Sequence, residues 1–233
     1  MIKGESTLVG GALARRLPSL VRVVLVSAVC CIAAAGCGGT STGPTGKGAA
    51  SPSGGRVPVV AATQLQPVLP TGLNMPADLS EERTVHTWDL TKEPSQCQDE
   101  EWPDGWCARA GAVGLSAFTN LADQELGIHL VTFPDEQSAA QAFKTRDKSD
   151  DMGHYPGPAG EPVYTLDLVA PSDNLLWTGR GTTFRQGTVV GRIEYSWKPG
   201  THVPPDRLLA VTRMVIQRID EKEKGLNPTA SAR

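Results

Sequence analysis

An apolar segment followed by a long stretch of small and polar residues restricts which part of this chain can fold. Thirteen mostly apolar residues, 23–35, follow three arginines within residues 15–22. A basic start, a short apolar run and small residues after it form a secretory signal, and the run is too short to span a bilayer. Fifteen of the eighteen residues 38–55 are Gly, Ser, Thr or Pro, a composition that buries too little apolar surface to become ordered. The folded part is therefore expected to be a single domain over residues 58–225.

Cys37 directly follows Ala34, Ala35 and Gly36. In this arrangement the chain resembles bacterial, and specifically actinobacterial, surface lipoproteins, although that family prefers Leu at the position of Ala34. The resemblance implies that the Cys37 thiol carries diacylglycerol and palmitate and that signal peptidase II removes residues 1–36. Residues 37–57 then form a tether, and two acyl chains suffice for stable anchoring. We expect the mature protein on the outer face of the cytoplasmic membrane.

The route of export is predicted from the residues after the first arginine pair. Arg15 and Arg16 suggest a twin-arginine signal, but Leu17 and Pro18 follow where that signal has a large apolar residue two places on. We therefore expect export by the Sec route, with the twin-arginine route as the alternative. The mature chain from Cys37 has 18 basic and 24 acidic residues, a net charge of −6. This charge argues against nucleic acid as a partner.

Cys97 and Cys107 are the two cysteines of the predicted domain. Cysteines of an exported chain usually pair, and closing a loop of this length stabilises a protein by about 2–3 kcal/mol. We therefore predict a disulfide, with metal binding as the alternative.

The apolar periodicity predicts an α+β domain with a mostly antiparallel sheet and two helices packed on one face of it. A hairpin turn is expected at residues 185–187 and a disordered tail at 226–233. Alternation along residues 125–133 and 188–197 predicts one packed side, with Leu126, Ile128 and Ile193, and for the last strand one solvated side, with Val190, Arg192 and Glu194. The predicted strands are 110–119, 125–133, 163–169, 175–184 and 188–197, the helices are 136–148 and 205–224, and 148–162 is a turn-rich loop.

Two stretches of this pattern carry a resemblance. The strand, Pro-Asp turn and Ala-rich helix at 126–143 and the hairpin and helix at 183–219 are similar to small domains of actinobacterial lipoproteins. They are also similar to the extracellular sensor region of mycobacterial PknH-type kinases. The resemblance implies a sensor or accessory domain and assigns no functional residue. This chain departs from the kinase sensor in one respect, because its single cysteine pair, Cys97 and Cys107, does not match the paired disulfides of that sensor.

No enzyme motif of the common hydrolase, zinc or phosphate-binding types occurs in the mature sequence. No catalytic, cofactor-binding or metal-binding residue is therefore predicted. An EF-hand loop starting at Asp147 fails because Met152 and Pro158 stand where Gly and Glu are required. A looser site of Asp147, Asp150, Asp151 and His154 is the alternative.

The segment around the two cysteines is a candidate binding loop. It combines Trp102 and Trp106 with Glu100 and Glu101, and exposed tryptophans beside acids stack on sugar rings or clasp cationic peptides. The favoured interpretation is that the tryptophans pack beneath the disulfide and cap one end of the core. If the segment is instead a recognition loop, we expect Trp102 to be exposed and Trp106 to pack inward.

These observations predict a lipid-anchored extracytoplasmic protein that binds an envelope ligand or partner without catalysis, as a sensor or accessory domain. The alternatives are a cell-envelope enzyme of the hydrolase type and a purely structural envelope protein.

Overall fold

The computed structural model describes residues 56–100, 102–120, 122–146, 151–156, 162–172 and 175–232. The predicted signal peptide, Cys37, nearly all of the tether and Glu101 lie outside these residues. The helices are α1 (Ala62–Leu65), α2 (Gln96–Asp99), α3 (Asp104–Cys107), α4 (Glu136–Lys144) and α5 (Arg207–Glu223). The strands are β1 (Glu81–Asp89), β2 (Ala112–Thr119), β3 (Gln124–Thr132), β4 (Asp151–Pro156), β5 (Pro162–Ser172), β6 (Leu175–Gln186) and β7 (Val189–Trp197).

The strands form one seven-stranded sheet in the order β1-β2-β3-β7-β6-β5-β4, and every neighbouring pair is antiparallel. The predicted α+β class with a mostly antiparallel sheet is confirmed. Strands β6 and β7 are joined by the predicted hairpin, where Gly187 has φ 55°, a conformation that glycine adopts without steric cost.

Helix α5 packs on one face of the sheet. Leu126, Ile128 and Ile193 are fully buried there, because alternate residues of a strand project to the same side. Val215 and Ile219 of α5 enter the same apolar cluster, as do residues of the segment 59–79 that precedes β1.

Helix α4 packs on the opposite face, so the prediction that both helices share one face is wrong. Val131 and Val190 are the chain neighbours of residues in the α5 cluster, and they contact Ala139 and Phe143 of α4 instead. The alternation along β7 predicts that the side with Val190 faces solvent. In the structure α4 covers Val190, which lies near the start of this strand. The helix begins where predicted, because Asp135 Oδ1 accepts a hydrogen bond of 2.7 Å from Ser138 N.

Two strands were not predicted. β1 carries charged and half-exposed residues without a clear alternation, and β4 lies within the stretch predicted to be a loop. Both are the edge strands of the sheet.

The predicted disordered tail at 226–233 is also wrong, since residues 226–232 fold back onto the domain. Arg218, only 5% exposed, donates hydrogen bonds of 2.8–3.4 Å to backbone carbonyls on both sides of it. Its acceptors are Pro67, Val68, Leu69, Pro228 and Ala230. The Arg218 guanidinium thus ties the tail to the segment before β1. Its hydrogen bond to Val68 joins positions 150 residues apart, so no local sequence pattern predicts it.

Candidate functional site

The disulfide segment, residues 97–107, lies over the α4 face of the sheet. Cys97 and Cys107 are bonded, with an S–S distance of 2.06 Å and Cα atoms 5.5 Å apart, so the predicted pairing is confirmed. Each cysteine belongs to a single helical turn, α2 or α3, and Cys97 is fully buried. The bond therefore joins two turns that pack on the domain.

Trp102 is 5% exposed, as the interpretation with packed tryptophans expects, and it lacks the exposure that a recognition loop would require. Its ring is stacked on that of Trp106 with centroids 5.4 Å apart. Trp106 is buried as expected, with its ring edge against Phe133 at 6.1 Å, and its Nε1 donates to Thr145 Oγ1 at 3.3 Å. The two rings belong to one apolar cluster with Val131 of β3 and with Ala139 and Phe143 of α4.

Glu100 also points back onto the sheet. Its Oε2 lies 2.8 Å from Nδ1 of His129 on β3, and both side chains are largely buried. Glu100, a residue of the candidate binding loop, therefore holds the disulfide segment against β3.

A row of polar side chains continues from this contact across the sheet. His129 is the cross-strand partner of Arg192 on β7, and Arg192 Nε lies 2.9 Å from Glu194 Oε1. The guanidinium also lies 5.4 Å from the centre of the Trp102 ring. Gly127 lies beneath the imidazole, since a Cβ there would be 2.9 Å from His129 Nε2. His129 and Arg192 therefore each lie within contact distance of a carboxylate.

The alternation of β7 places Arg192 and Glu194 on the side away from the α5 cluster. The contact of His129 with Glu100 and the pairing of His129 with Arg192 across the strands join residues far apart in the chain and have no sequence signal.

A pocket of about 360 Å³ opens on the other face, between the ends of β6 and β7 and the start of α5. We call it the Trp197 pocket. Its lining residues are Arg180, Tyr195, Trp197, Thr201, His202, Val203, Pro204, Pro205 and Leu208. Sequence reasoning did not select any of them as a site, because they come from two strands, a loop and a helix.

The floor of the Trp197 pocket is aromatic. The rings of Tyr195 and Trp197 lie 5.3 Å apart and are inclined by 56°. The hydroxyl of Tyr195 donates a hydrogen bond to Gln124 Oε1, and burial raises the pKa of Tyr195 to about 12. The phenol is therefore neutral at physiological pH, and its only polar atom has a partner.

The rim of this pocket carries the exposed side chains of Arg180 and His202. Thr201 Oγ1 donates to Asp123 Oδ2 at 3.1 Å. Asn120 and Thr201 together hold the pKa of Asp123 below its usual value, the hydrogen bond from Asn120 contributing most.

A wider groove of about 950 Å³ runs along residues 71–82. It opens broadly to solvent and is mostly apolar, with Leu73 75% exposed on it. The carboxylate of Glu82 already accepts a hydrogen bond from Gly72 N at 3.1 Å. Few polar groups converge here, so the smaller pocket is the better candidate for a specific ligand.

Among the described residues, no group of three or more His, Cys, Asp or Glu side chains is arranged to hold a metal ion. Asp147 and Asp150 of the alternative metal site lie outside that part of the chain. None of the described helices has the length and apolar character needed to cross a membrane.

Comparisons with known proteins identify a fold. No protein-family profile matches the chain, and no curated protein matches it in sequence. Among solved structures, the chain is similar to the extracellular domain of PknH from Mycobacterium tuberculosis, with a TM-score of 0.51 and 13% sequence identity. The match covers 72% of this chain and 100% of that domain. The predicted resemblance to a PknH-type domain is thereby confirmed for the fold.

Proposed function

We propose that this protein is a lipid-anchored extracytoplasmic domain that binds a small ligand without catalysis, as a sensor or accessory protein. The sequence up to Cys37 supports the anchor, and the disulfide suits an oxidising compartment outside the cytoplasm. Similarity to the fold of a kinase extracellular domain supports the same location.

The single observation that carries the binding role is the Trp197 pocket. Its volume of about 360 Å³ falls within the roughly 300–1,000 Å³ of ligand sites. Ligand sites typically combine apolar walls with a few polar groups that fix orientation. Here Trp197, Val203 and Leu208 supply the walls, and Arg180 and His202 supply polar groups on the rim.

The hydrogen bonding inside the pocket favours binding over chemistry. Tyr195 has a raised pKa and donates to Gln124, and Thr201 donates to Asp123. General acids and bases work best with pKa values near the ambient pH, which this phenol does not have. The hydroxyls of Tyr195 and Thr201 therefore stabilise the pocket through their own hydrogen bonds, and a ligand would contact the aromatic rings.

The test uses the soluble fragment 56–233, since both apolar clusters of the domain are drawn from residues 59–232. A panel of ring-bearing fragments of neutral, anionic and cationic types is titrated while the five indole N–H resonances are followed. We expect at least one type to shift the Trp197 resonance and leave that of Trp88, on β1, unchanged. A panel that moves no indole resonance, or only that of Trp88, contradicts the proposal.

A second candidate, an envelope hydrolase, is favoured by the contact of Glu100 with His129. A carboxylate that orients an imidazole is one half of a general-base arrangement, and such a base contributes about 10²–10⁴-fold to a rate. If the protein is a hydrolase, His129→Gln lowers the hydrolysis of p-nitrophenyl acetate by at least about 100-fold. The exposed His86 on β1 provides the control, as His86→Gln. Equal rates for the two variants contradict this candidate.

A further inference from the structure

We propose that the slot holding the tail, residues 226–232, is a peptide-recognition site. Its partner is an extended segment of another protein with a small residue at the position that Ala230 occupies. This tail slot lies between α5 and residues 67–74. The inference does not depend on the Trp197 pocket.

The slot holds the tail mainly through the peptide backbone. Glu221 Oε2 accepts hydrogen bonds from Thr229 N at 2.6 Å and from Ala230 N at 3.3 Å. Arg218 Nη1 donates to Pro228 O at 3.4 Å and to Ala230 O at 3.1 Å. Two charged side chains of α5 therefore bind both the N–H and the C=O of Ala230. Main-chain hydrogen bonds of this kind supply affinity for extended peptides of many sequences.

The side chains of the tail restrict the partner at one position. Ala230 is 8% exposed and belongs to the main apolar cluster. Leu226, the largest apolar side chain of the tail, is 54% exposed, and Thr229 and Ser231 are exposed as well. The slot therefore selects Ala or another small residue at one position and places little restriction on its neighbours.

Displacing the tail would leave charged groups that need new partners. Arg218 is 5% exposed, and its other acceptors are the carbonyls of residues 67–69. Its Nη1 would lose two tail carbonyls, and Glu221 Oε2 would lose two tail N–H groups. A buried polar group without a partner costs free energy, and hydrogen bonds to charged groups are among the strong ones. The slot therefore favours a replacement peptide with the same backbone groups.

The tail is joined to α5 by a turn that can open. Gly225 has φ 75°, and residues 224–227 are all exposed. Segments with few buried apolar contacts open at low free-energy cost, so the tail can leave while α5 stays packed. A segment on a short linker has an effective concentration of about millimolar at its own site. A partner must therefore compete with the tail, which keeps the interaction reversible.

The experiment exchanges the tail for a labelled peptide. A protease site is inserted between Gly225 and Leu226 of fragment 56–233, and the folded protein is cut there. The peptide 226–233, with a fluorophore at its exposed Leu226 end, is then titrated and its anisotropy is followed. We expect saturable binding to the cut protein. Binding to the uncut fragment should be at least about tenfold weaker, because its own tail competes.

Peptide variants test which part of the tail is recognised. Ala230→Leu in the peptide should weaken binding at least about tenfold, because a larger side chain overpacks the buried position. Leu226→Ala is the matched control and should bind like the natural peptide. A peptide with Ser at the exposed positions 226, 227 and 229 that keeps Ala230 should bind within about tenfold of the natural one, since the backbone supplies the contacts.

Protein variants test the two charged groups of the slot. Arg218→Gln and, separately, Glu221→Gln should weaken binding of the natural peptide. Arg213→Gln, which changes an exposed arginine of the same helix, should leave it intact. Each variant is first checked for an unchanged melting temperature. Glu221 is only half-buried, so its variant remains informative if Arg218→Gln does not fold.

Three results would overturn the proposal. A cut protein that unfolds as the tail dissociates would make the tail an integral part of the fold. Equal binding of the natural and Ala230→Leu peptides would remove the selection for a small residue, and equal binding by cut and uncut protein would place the peptide elsewhere. Mixed dimers of the uncut fragment that exchange tails would make a second copy the occupant in place of another protein.

Discussion

Gly187 lies directly over the carboxylate of Glu223, so that a Cβ at Gly187 would stand 1.7 Å from Glu223 Oε1. Gly187 turns the β6–β7 hairpin with φ 55°, and Glu223 ends α5 with 2% of its surface exposed. The last turn of the helix and the tip of the hairpin thus meet without room for one methyl group.

Gly187→Ala should therefore lower the free energy of unfolding for two reasons. The left-handed backbone costs an alanine about 1–2 kcal/mol, and overpacking adds about 1–3 kcal/mol. Gly200→Ala is the matched control, because Gly200 has φ 88° and nothing within 4 Å of the added Cβ. Urea denaturation should show that Gly200→Ala loses only the part of the unfolding free energy that comes from the left-handed backbone. Equal losses for the two variants would show that the contact with Glu223 relaxes without cost.

Glu223 should make stability depend on pH in an unusual direction. Burial raises the pKa of its carboxyl, against the smaller opposing effect of Arg56. From about pH 4.5, the usual glutamate value, up to that raised pKa, the folded state holds a proton that the unfolded state has lost. Stability then falls as pH rises through this window, and the contribution of Glu223 is complete only below it.

Glu223→Gln removes this titration and keeps the shape of the side chain. The free energy of unfolding of the natural protein minus that of Glu223→Gln should decrease as the pH rises from about 4.5 through the raised pKa, and it should be constant on either side of this window. Carboxyls with lowered pKa values act in the opposite sense but are common to both proteins, namely Asp78, Asp89, Asp123, Asp135 and Glu221. A difference that stays constant with pH would show that Glu223 titrates normally.

Local patterns were enough to predict most of the sheet and both long helices. Alternation along β3 and β7 identified the residues that face α5, and Asp135 and Gly187 marked a helix start and a turn through their own hydrogen bonding and φ angle. The pairing of Cys97 and Cys107 was predicted because an exported chain enters an oxidising compartment. These features depend on neighbours within a few residues or on a general property of exported chains.

The remaining features depend on contacts between distant segments. Val190 lies on the side of β7 predicted to be solvated, and only the position of α4 shows that it is buried. Arg218 orders the tail through carbonyls at both ends of the domain. The Trp197 pocket combines two strands, a loop and α5. None of these arrangements leaves a periodic signal in the sequence.

Removing the disulfide should destabilise the domain without changing the fold. Changing both Cys97 and Cys107 to Ala should lower the free energy of unfolding by about 2–3 kcal/mol on the loop-closure argument. Urea denaturation of the fragment 56–233 measures this loss. The natural fragment, unfolded without reductant, should contain no free thiol, and a count of two would contradict the pairing.

Trp102→Ala should behave as a core mutation. Because the ring is buried and stacked on Trp106, truncation should cost about 3–5 kcal/mol of stability. Trp102→Phe keeps an aromatic ring in the cluster and should lose clearly less. Thermal denaturation of both variants makes the comparison. An unchanged melting temperature for Trp102→Ala would mean that the ring contributes little to the core and would restore the segment as a binding loop.

Cys37→Ala tests the anchor in the full-length protein. Since the proposed attachment is a thioether to diacylglycerol at this thiol, the variant should take up no labelled palmitate in cells. It should also leave the membrane fraction or accumulate as the unprocessed precursor, because two acyl chains provide the stable attachment. Cys31→Ala is the matched control, as this cysteine follows Cys30 and not a small residue. Continued labelling of Cys37→Ala would place the lipid on another cysteine and would refute the predicted cleavage before residue 37.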